Sequence, residues 1–193
     1  MKSESFHPVI QLPPDYEIYD FSKDYDPNRT LRSPFGVGKF LERRPTMYVQ
    51  EQYTKTQRNI HLGIDIGAPI GTPIMAFADG TIFSYANNDL PGDYGYTIIT
   101  KHTALDQTLY CLFGHLAKQS LDGLTPGKPL KKGEVFAWVG DKTENGGWNP
   151  HLHFQVSNKI PEKCDMPGVV SEQDLENALK IYLDPRLILG NLY

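Results

Sequence analysis

Two cysteines in 193 residues, Cys111 and Cys164, are too few and too far apart for a disulfide framework or a CxxC zinc knot. Cys111 lies in the apolar run Tyr110-Cys111-Leu112-Phe113 and reads as a small packed hydrophobe. No run approaches the apolar length that crosses a bilayer. Residues 1–30 also lack the basic start, apolar stretch and small-residue cleavage site of a secretory leader. On this reading the chain is formally cytoplasmic with no membrane-spanning segment, unless a leader was removed or export takes another route. Blocks of positive charge are missing too: the net charge is −4, and Arg43-Arg44 and Lys131-Lys132 are only pairs, as expected on a solvated surface. Nucleic acid is therefore not expected as a partner.

What is present is β-rich. The length fits one core domain with accessory segments. Residues 1–32 are rich in proline, acidic residues and scattered aromatics, without a helical or strand period, and read as an extended N-terminal arm packed along the domain. Residues 33–160 carry short β-prone runs separated by Gly, Pro, Asn and Asp, which predicts a mainly β domain with an antiparallel sheet. Strands are expected over 61–67, 73–78, 80–86, 96–102, 108–115, 135–139 and 151–157, with turns at 69–71, 87–95, 125–127 and 144–148. Residues 161–193 form a C-terminal extension. One short helix is expected there, capped by Ser171 with Asp174, carrying Leu175, Ala178, Leu179 and Tyr182, and stopping before Asp184-Pro185.

Two of the predicted strands combine an apolar face with a chemically active one. In 61–67 the alternation sends His61, Gly63, Asp65 and Gly67 one way and Leu62, Ile64 and Ile66 the other, with the glycines leaving room for close approach. In 151–157 it sends His151, His153 and Gln155 one way and Leu152, Phe154 and Val156 the other. Imidazoles and a carboxylate on stiff strands suit a catalytic metal. Nitrogen and oxygen donors without thiolate suit zinc, one per chain, and three protein ligands leave a position open; cobalt, nickel and copper are compatible with the same donors. A lone histidine carries no such weight, and His7 and His102 read as ordinary surface or core residues.

These residues resemble the lysostaphin/LytM family of zinc endopeptidases, which cleave peptide cross-links of peptidoglycan. The resemblance runs from about Ser33 to Ser157. It rests on His61-Leu62-Gly63-Ile64-Asp65-Ile66, on Phe113-Gly114-His115-Leu116 and on Pro150-His151-Leu152-His153-Phe154, in that order. Gly71-Thr72-Pro73, Tyr94-Gly95 and Lys132-Gly133-Glu134 support it, and Ser33-Pro34-Phe35-Gly36 is similar to the family's entry segment. The resemblance implies a β-sheet groove related to the duplicated hybrid motif barrel. It implies metal ligation by His61, Asp65 and His153, with His115 and His151 beside the metal as the catalytic pair that handles protons and the oxyanion. It also implies a peptidoglycan or peptide substrate in the periplasm or cell wall. Gln155 stands where many members have Glu, on the metal-side face, where it bears on hydrogen bonding to a ligand histidine.

Three other readings compete. A biotinyl- or lipoyl-like carrier is suggested by the turns around residues 72–81 and 130–133, but Asp65 beside His61 favours a metal. A LytM-like binding or regulatory module would have lost ligands, and none is missing here. A latent enzyme, with the arm covering its groove or with a non-wall peptide as substrate, is consistent with the aromatic arm and the missing leader. Oligomeric state and the scissile bond are not legible in the sequence.

Overall fold

Alternating apolar positions and short turns divide the chain into many brief strands and very few helical turns. The computed structural model describes residues 5–29 and 32–193. In chain order the elements are β1 (Glu17–Ile18), β2 (Gly36–Gly38), α1 (Glu51–Thr54), β3 (Ile60–His61), β4 (Ile64–Gly67), β5 (Pro73–Met75), β6 (Gly80–Asn88), β7 (Gly95–Ala104), β8 (Gln107–Leu116), β9 (Pro129–Leu130), β10 (Val135–Trp138), β11 (His151–Ser157), β12 (Val169–Val170), α2 (Leu175–Ala178), β13 (Tyr182–Leu183) and α3 (Arg186–Leu189). The main sheet runs β1-β2-β4-β11-β8-β7-β6-β9, with β13 added to β11. The mainly β expectation holds, and the sheet is antiparallel except at its β1 edge, where the arm pairs parallel to β2. Among the described residues no helix is long and apolar enough to cross a membrane.

One face of the sheet makes the core. Ile64, Ile66, Ile98, Phe113, Leu152 and Phe154 are buried in a single cluster, with Phe113 ringed by Phe136 and Phe154 at centroid distances of 5.0 and 5.1 Å. Full burial of such side chains contributes roughly 1.5–3 kcal/mol each. The free thiol of Cys111 is wholly buried in the same cluster, as its apolar run implied. Both ends of the chain join this core: Val9 and Ile10 from the arm are buried in it, as is Ile188 from α3.

Four details depart from the sequence reading. The strand expected over 61–67 breaks after His61; β3 leaves the main sheet to pair with β12, so Leu62 packs with Ile60, Val170 and Ala178 and away from Ile64 and Ile66. The expected helix is cut short at Ala178 as α2, because the chain turns so that Tyr182, expected in the helix, pairs with β11 in β13; a second helical turn, α3, follows, where the Asp184 carboxylate accepts from the Arg186 backbone N–H. β7 and β8 meet in a two-residue turn with Leu105 and Asp106 both at positive φ (53° and 57°), a geometry that usually shows itself as Asn-Gly. Arg44 is fully buried instead of lying on a solvated surface.

Candidate metal centre

The central strands β4, β11 and β8 bring the active face together. Across β4 and β11, His153 stands opposite Asp65, and across β11 and β8 it stands opposite Gly114, next to His115. Leu152, Phe154 and Val156 anchor the other face of β11 in the core, so the backbone holds the polar residues rigidly. The break at Leu62-Gly63 turns His61 back over this face. Gly63 is the reason His153 fits: a Cβ there would lie 2.5 Å from its ring. Gly67 serves the arm in the same way, since a Cβ would lie 2.4 Å from the Tyr19 hydroxyl. The room left by both glycines is filled by the protein's own side chains.

His61, Asp65 and His153 offer three donor atoms to one point. His61 Nε2 and His153 Nδ1 are 3.1 Å apart, and they lie 3.2 and 3.0 Å from Asp65 Oδ1. Donors around a tetrahedral divalent metal with bonds near 2.0–2.1 Å lie about 3.3 Å apart, so the triangle is close to the size that such an ion requires. The outward hydrogen bonds select matching tautomers. His61 Nδ1–H donates to the Lys39 carbonyl at 2.9 Å, freeing Nε2; His153 Nε2–H donates to Gln155 Oε1 at 3.0 Å, freeing Nδ1. Gln155 thus touches the histidine beside which the sequence placed it.

Protonation states agree with metal binding. Burial pushes the His61 imidazole down to about 4, helped by the nearby Arg44 charge, so it is neutral at pH 7. Burial alone would raise Asp65, but the neighbouring His61 and the permanently charged Arg44 hold its carboxyl well below the usual carboxylate range. Arg44 is the residue that sequence reasoning missed. Its Nη1 donates to Asp65 Oδ2 at 2.7 Å and to the Tyr48 hydroxyl at 3.0 Å, and its Nε donates to Glu42 Oε2 at 3.0 Å. One carboxylate oxygen of Asp65 is thereby occupied, which leaves Oδ1 for the metal. Nothing in the run Glu42-Arg43-Arg44-Pro45 distinguishes this arginine from its exposed neighbour.

His115 and His151 lie beside the triangle with their rings stacked, centroids 4.2 Å apart. Each donates Nδ1–H to a backbone carbonyl, of Asn145 (2.9 Å) and Asn149 (2.7 Å), so each keeps Nε2 unprotonated. The His151 Nε2 is 3.7 Å from Asp65 Oδ1. His115 adopts φ 64°, uncommon for a residue with a side chain, and its N–H donates to the Tyr94 carbonyl. Tyr94 closes the far side, its ring 5.0 Å from that of His153 and its hydroxyl donating to Gln155 Oε1 at 3.4 Å. A cleft of about 250 Å³ opens onto all five residues, walled by Tyr48, Tyr53, Trp148 and the 165–169 segment. His7 and His102 lie elsewhere, His102 buried against Phe77.

A pH prediction follows for the metal-free protein. Burial lowers His61, His115, His151 and, outside the site, His102. Between about pH 6.5 and about 4 the unfolded chain binds protons that the folded chain refuses, so stability is full above that window and falls as pH drops through it. Melting temperature in chelator is expected to decrease steadily from pH 7 to pH 4.5; a level profile would refute the assignment of neutral buried imidazoles.

Residues 59–165 match Peptidase family M23. Over 98 residues the chain is 37% identical to the DD-carboxypeptidase/endopeptidase Mpg of Neisseria meningitidis serogroup B, covering 50% of this chain and 20% of that protein. Over 137 residues it is 29% identical to the peptidoglycan DD-endopeptidase ShyC of Vibrio cholerae, covering 63% of this chain and 28% of that protein. The chain therefore spans well under a third of either relative's length. Among solved structures, the catalytic domain of lysostaphin from Staphylococcus simulans aligns with a TM-score of 0.48 at 23% identity, covering 69% of this chain and 81% of that one.

Proposed function

The chain belongs to peptidase family M23, and from that premise we propose that it is a zinc metalloendopeptidase hydrolysing amide bonds in peptidoglycan peptides or cross-bridges. The observation that carries this reading is the triangle of His61 Nε2, Asp65 Oδ1 and His153 Nδ1, with sides of 3.0–3.2 Å and each donor atom left free by its own hydrogen bonds. The donor set is two imidazole nitrogens and one carboxylate oxygen, the combination zinc takes in hydrolytic sites. His61, Asp65 and His153 would hold the ion. When bound, zinc supplies Lewis acidity and makes water acidic enough to act as a nucleophile near neutral pH.

The remaining chemistry belongs to the side chains. His115 and His151 present unprotonated Nε2 atoms toward the cleft, and both are neutral at pH 7 because burial lowers them. One can accept the proton of the attacking water and return it to the amine that leaves. Once protonated, either imidazole donates a hydrogen bond to the oxyanion of the tetrahedral intermediate. His151 is the one whose Nε2 approaches the ligand carboxylate, at 3.7 Å, and it is assigned the role of base. Arg44 keeps Asp65 charged and oriented. The relative named as a peptidoglycan DD-endopeptidase supports the substrate class. With that substrate, the protein would act in the periplasm or cell wall.

The test is digestion of purified peptidoglycan by the full chain, with products separated and weighed by mass spectrometry. New amino termini on stem peptides or cross-bridges are expected, lost in chelator and restored by zinc. Intact sacculi after incubation with zinc-loaded protein would sink the proposal.

A further inference from the structure

The sequence reads the arm as packed along the domain, with a cover over the groove as the alternative. Tyr19 sits in a notch made by two glycines, where a Cβ on Gly36 or Gly67 would lie 2.2 or 2.4 Å from its side chain. The arm's β1 pairs with β2, and Tyr19 N–H donates to the Val37 carbonyl at 2.8 Å. Phe21 N–H donates to Glu42 Oε1 at 3.0 Å, and its ring lies under the Arg44 guanidinium at 4.8 Å. Tyr25 N–H donates to Thr46 Oγ1, and Asn149 Nδ2 donates to the Pro27 carbonyl, both at 2.8 Å. Tyr19, Phe21, Met47 and Trp148 bury one another in a cluster of their own. This arm is built into the support of Asp65 and could not lift away without dismantling that support.

Between the arm and the sheet lies a second cavity of about 500 Å³. It shares the lining residues Met47, Asp65, Trp148 and His151 with the first, so Asp65 and His151 border both spaces. The second compartment is walled by Tyr19, Phe21, Tyr25 and Trp148 and edged by prolines. Among the described residues its one cation is Arg29, which lies over the Tyr19 ring at 4.6 Å and 3.7 Å from Glu17, so its charge is engaged within the arm. Residues 19–29 all lie outside the stretch that matches the family.

We propose that residues 19–29 build a substrate subsite, an aromatic compartment on the His151 side of the metal centre that takes an apolar side chain of the peptide beside the scissile amide. The inference rests on the hydrolase reading above and adds to it a specificity element that belongs to this chain's own arm. The half-buried Tyr25 is the informative position, because its ring contacts Phe21 and Trp148 at the compartment wall without sitting deep in the core.

The probe is a set of soluble muropeptides released from peptidoglycan by a muramidase. With full-length zinc-loaded protein, Tyr25→Ala is expected to raise KM roughly tenfold, with the loss falling on KM and not on kcat, and Tyr25→Phe is expected to restore it. Binding of the same muropeptides, followed by Trp148 fluorescence in a Trp138→Phe background, should weaken by a similar factor. The fluorescence titration separates the two readings: binding without turnover by the parent protein would count against the hydrolase while still testing the subsite. An unchanged KM and affinity in Tyr25→Ala, faster cleavage in that variant, or no binding by the parent protein would each overturn the subsite.

Discussion

Replacing His153 by alanine is expected to remove zinc and peptidoglycan hydrolysis together. Its Nδ1 is one corner of a donor triangle whose other corners are His61 Nε2 and Asp65 Oδ1, at 3.1 and 3.0 Å. With two donors left, the site loses its tetrahedral base, and affinity is expected to fall by at least ~10³-fold, with activity following it. His151 Nε2 is 3.7 Å from Asp65 Oδ1, outside the 3.0–3.2 Å spacing of the donor triangle, and Gln155 would point at an empty space. Metal content by mass spectrometry on protein purified without chelator should read about one zinc for the parent chain and none for the variant. Near-stoichiometric zinc in His153→Ala would mean that the triangle is not the binding site. Zinc lost while hydrolysis persists would remove the metal from the mechanism.

The second large effect is expected at Arg44. Its guanidinium is wholly buried and holds Asp65 and Glu42 at 2.7 and 3.0 Å, while its Nη2 finds no partner among the described residues. Arg44→Met keeps most of the volume but leaves buried Asp65 without its cation and Glu42 with Lys39 Nζ alone at 3.5 Å, and removing one member of a buried ion pair costs about 3–5 kcal/mol. A metal ion at His61, Asp65 and His153 would neutralise Asp65 in place of the arginine. The destabilisation is therefore expected to be largest in chelator and clearly smaller with saturating zinc. Urea unfolding of both proteins under both conditions measures this directly. Equal losses with and without zinc would show that Arg44 acts only on packing.

Much of the site was legible because its chemistry lies on strands with a strict period of two. Once Leu152, Phe154 and Val156 are assigned to the core, His151, His153 and Gln155 must share the other face, and they do. The same logic placed Asp65 correctly on β4. It failed for Leu62, because the chain leaves the sheet between His61 and Ile64 and the alternation is interrupted there. The burial of Arg44, the contacts of Tyr94 with the site and the compartment beside the arm were not legible. Each depends on a partner distant in the chain: Arg44 on Asp65 and Glu42, Tyr94 on His153 and Gln155, Tyr19 on Gly36 and Gly67. A single arginine in a run of polar residues has no local property that separates buried from exposed.

The sequence by itself determined the mainly β architecture, the absence of a bilayer-length apolar run, and the types and order of the candidate ligand residues, because these follow from periodicity and side-chain chemistry that are local to each segment. Tertiary structure alone decided which nitrogen of each histidine is free, which oxygen of Asp65 remains for a metal, and what encloses the cleft. Those outcomes depend on hydrogen bonds and contacts between segments far apart in the chain, such as His153 with Gly63, and residues 19–29 with Trp148.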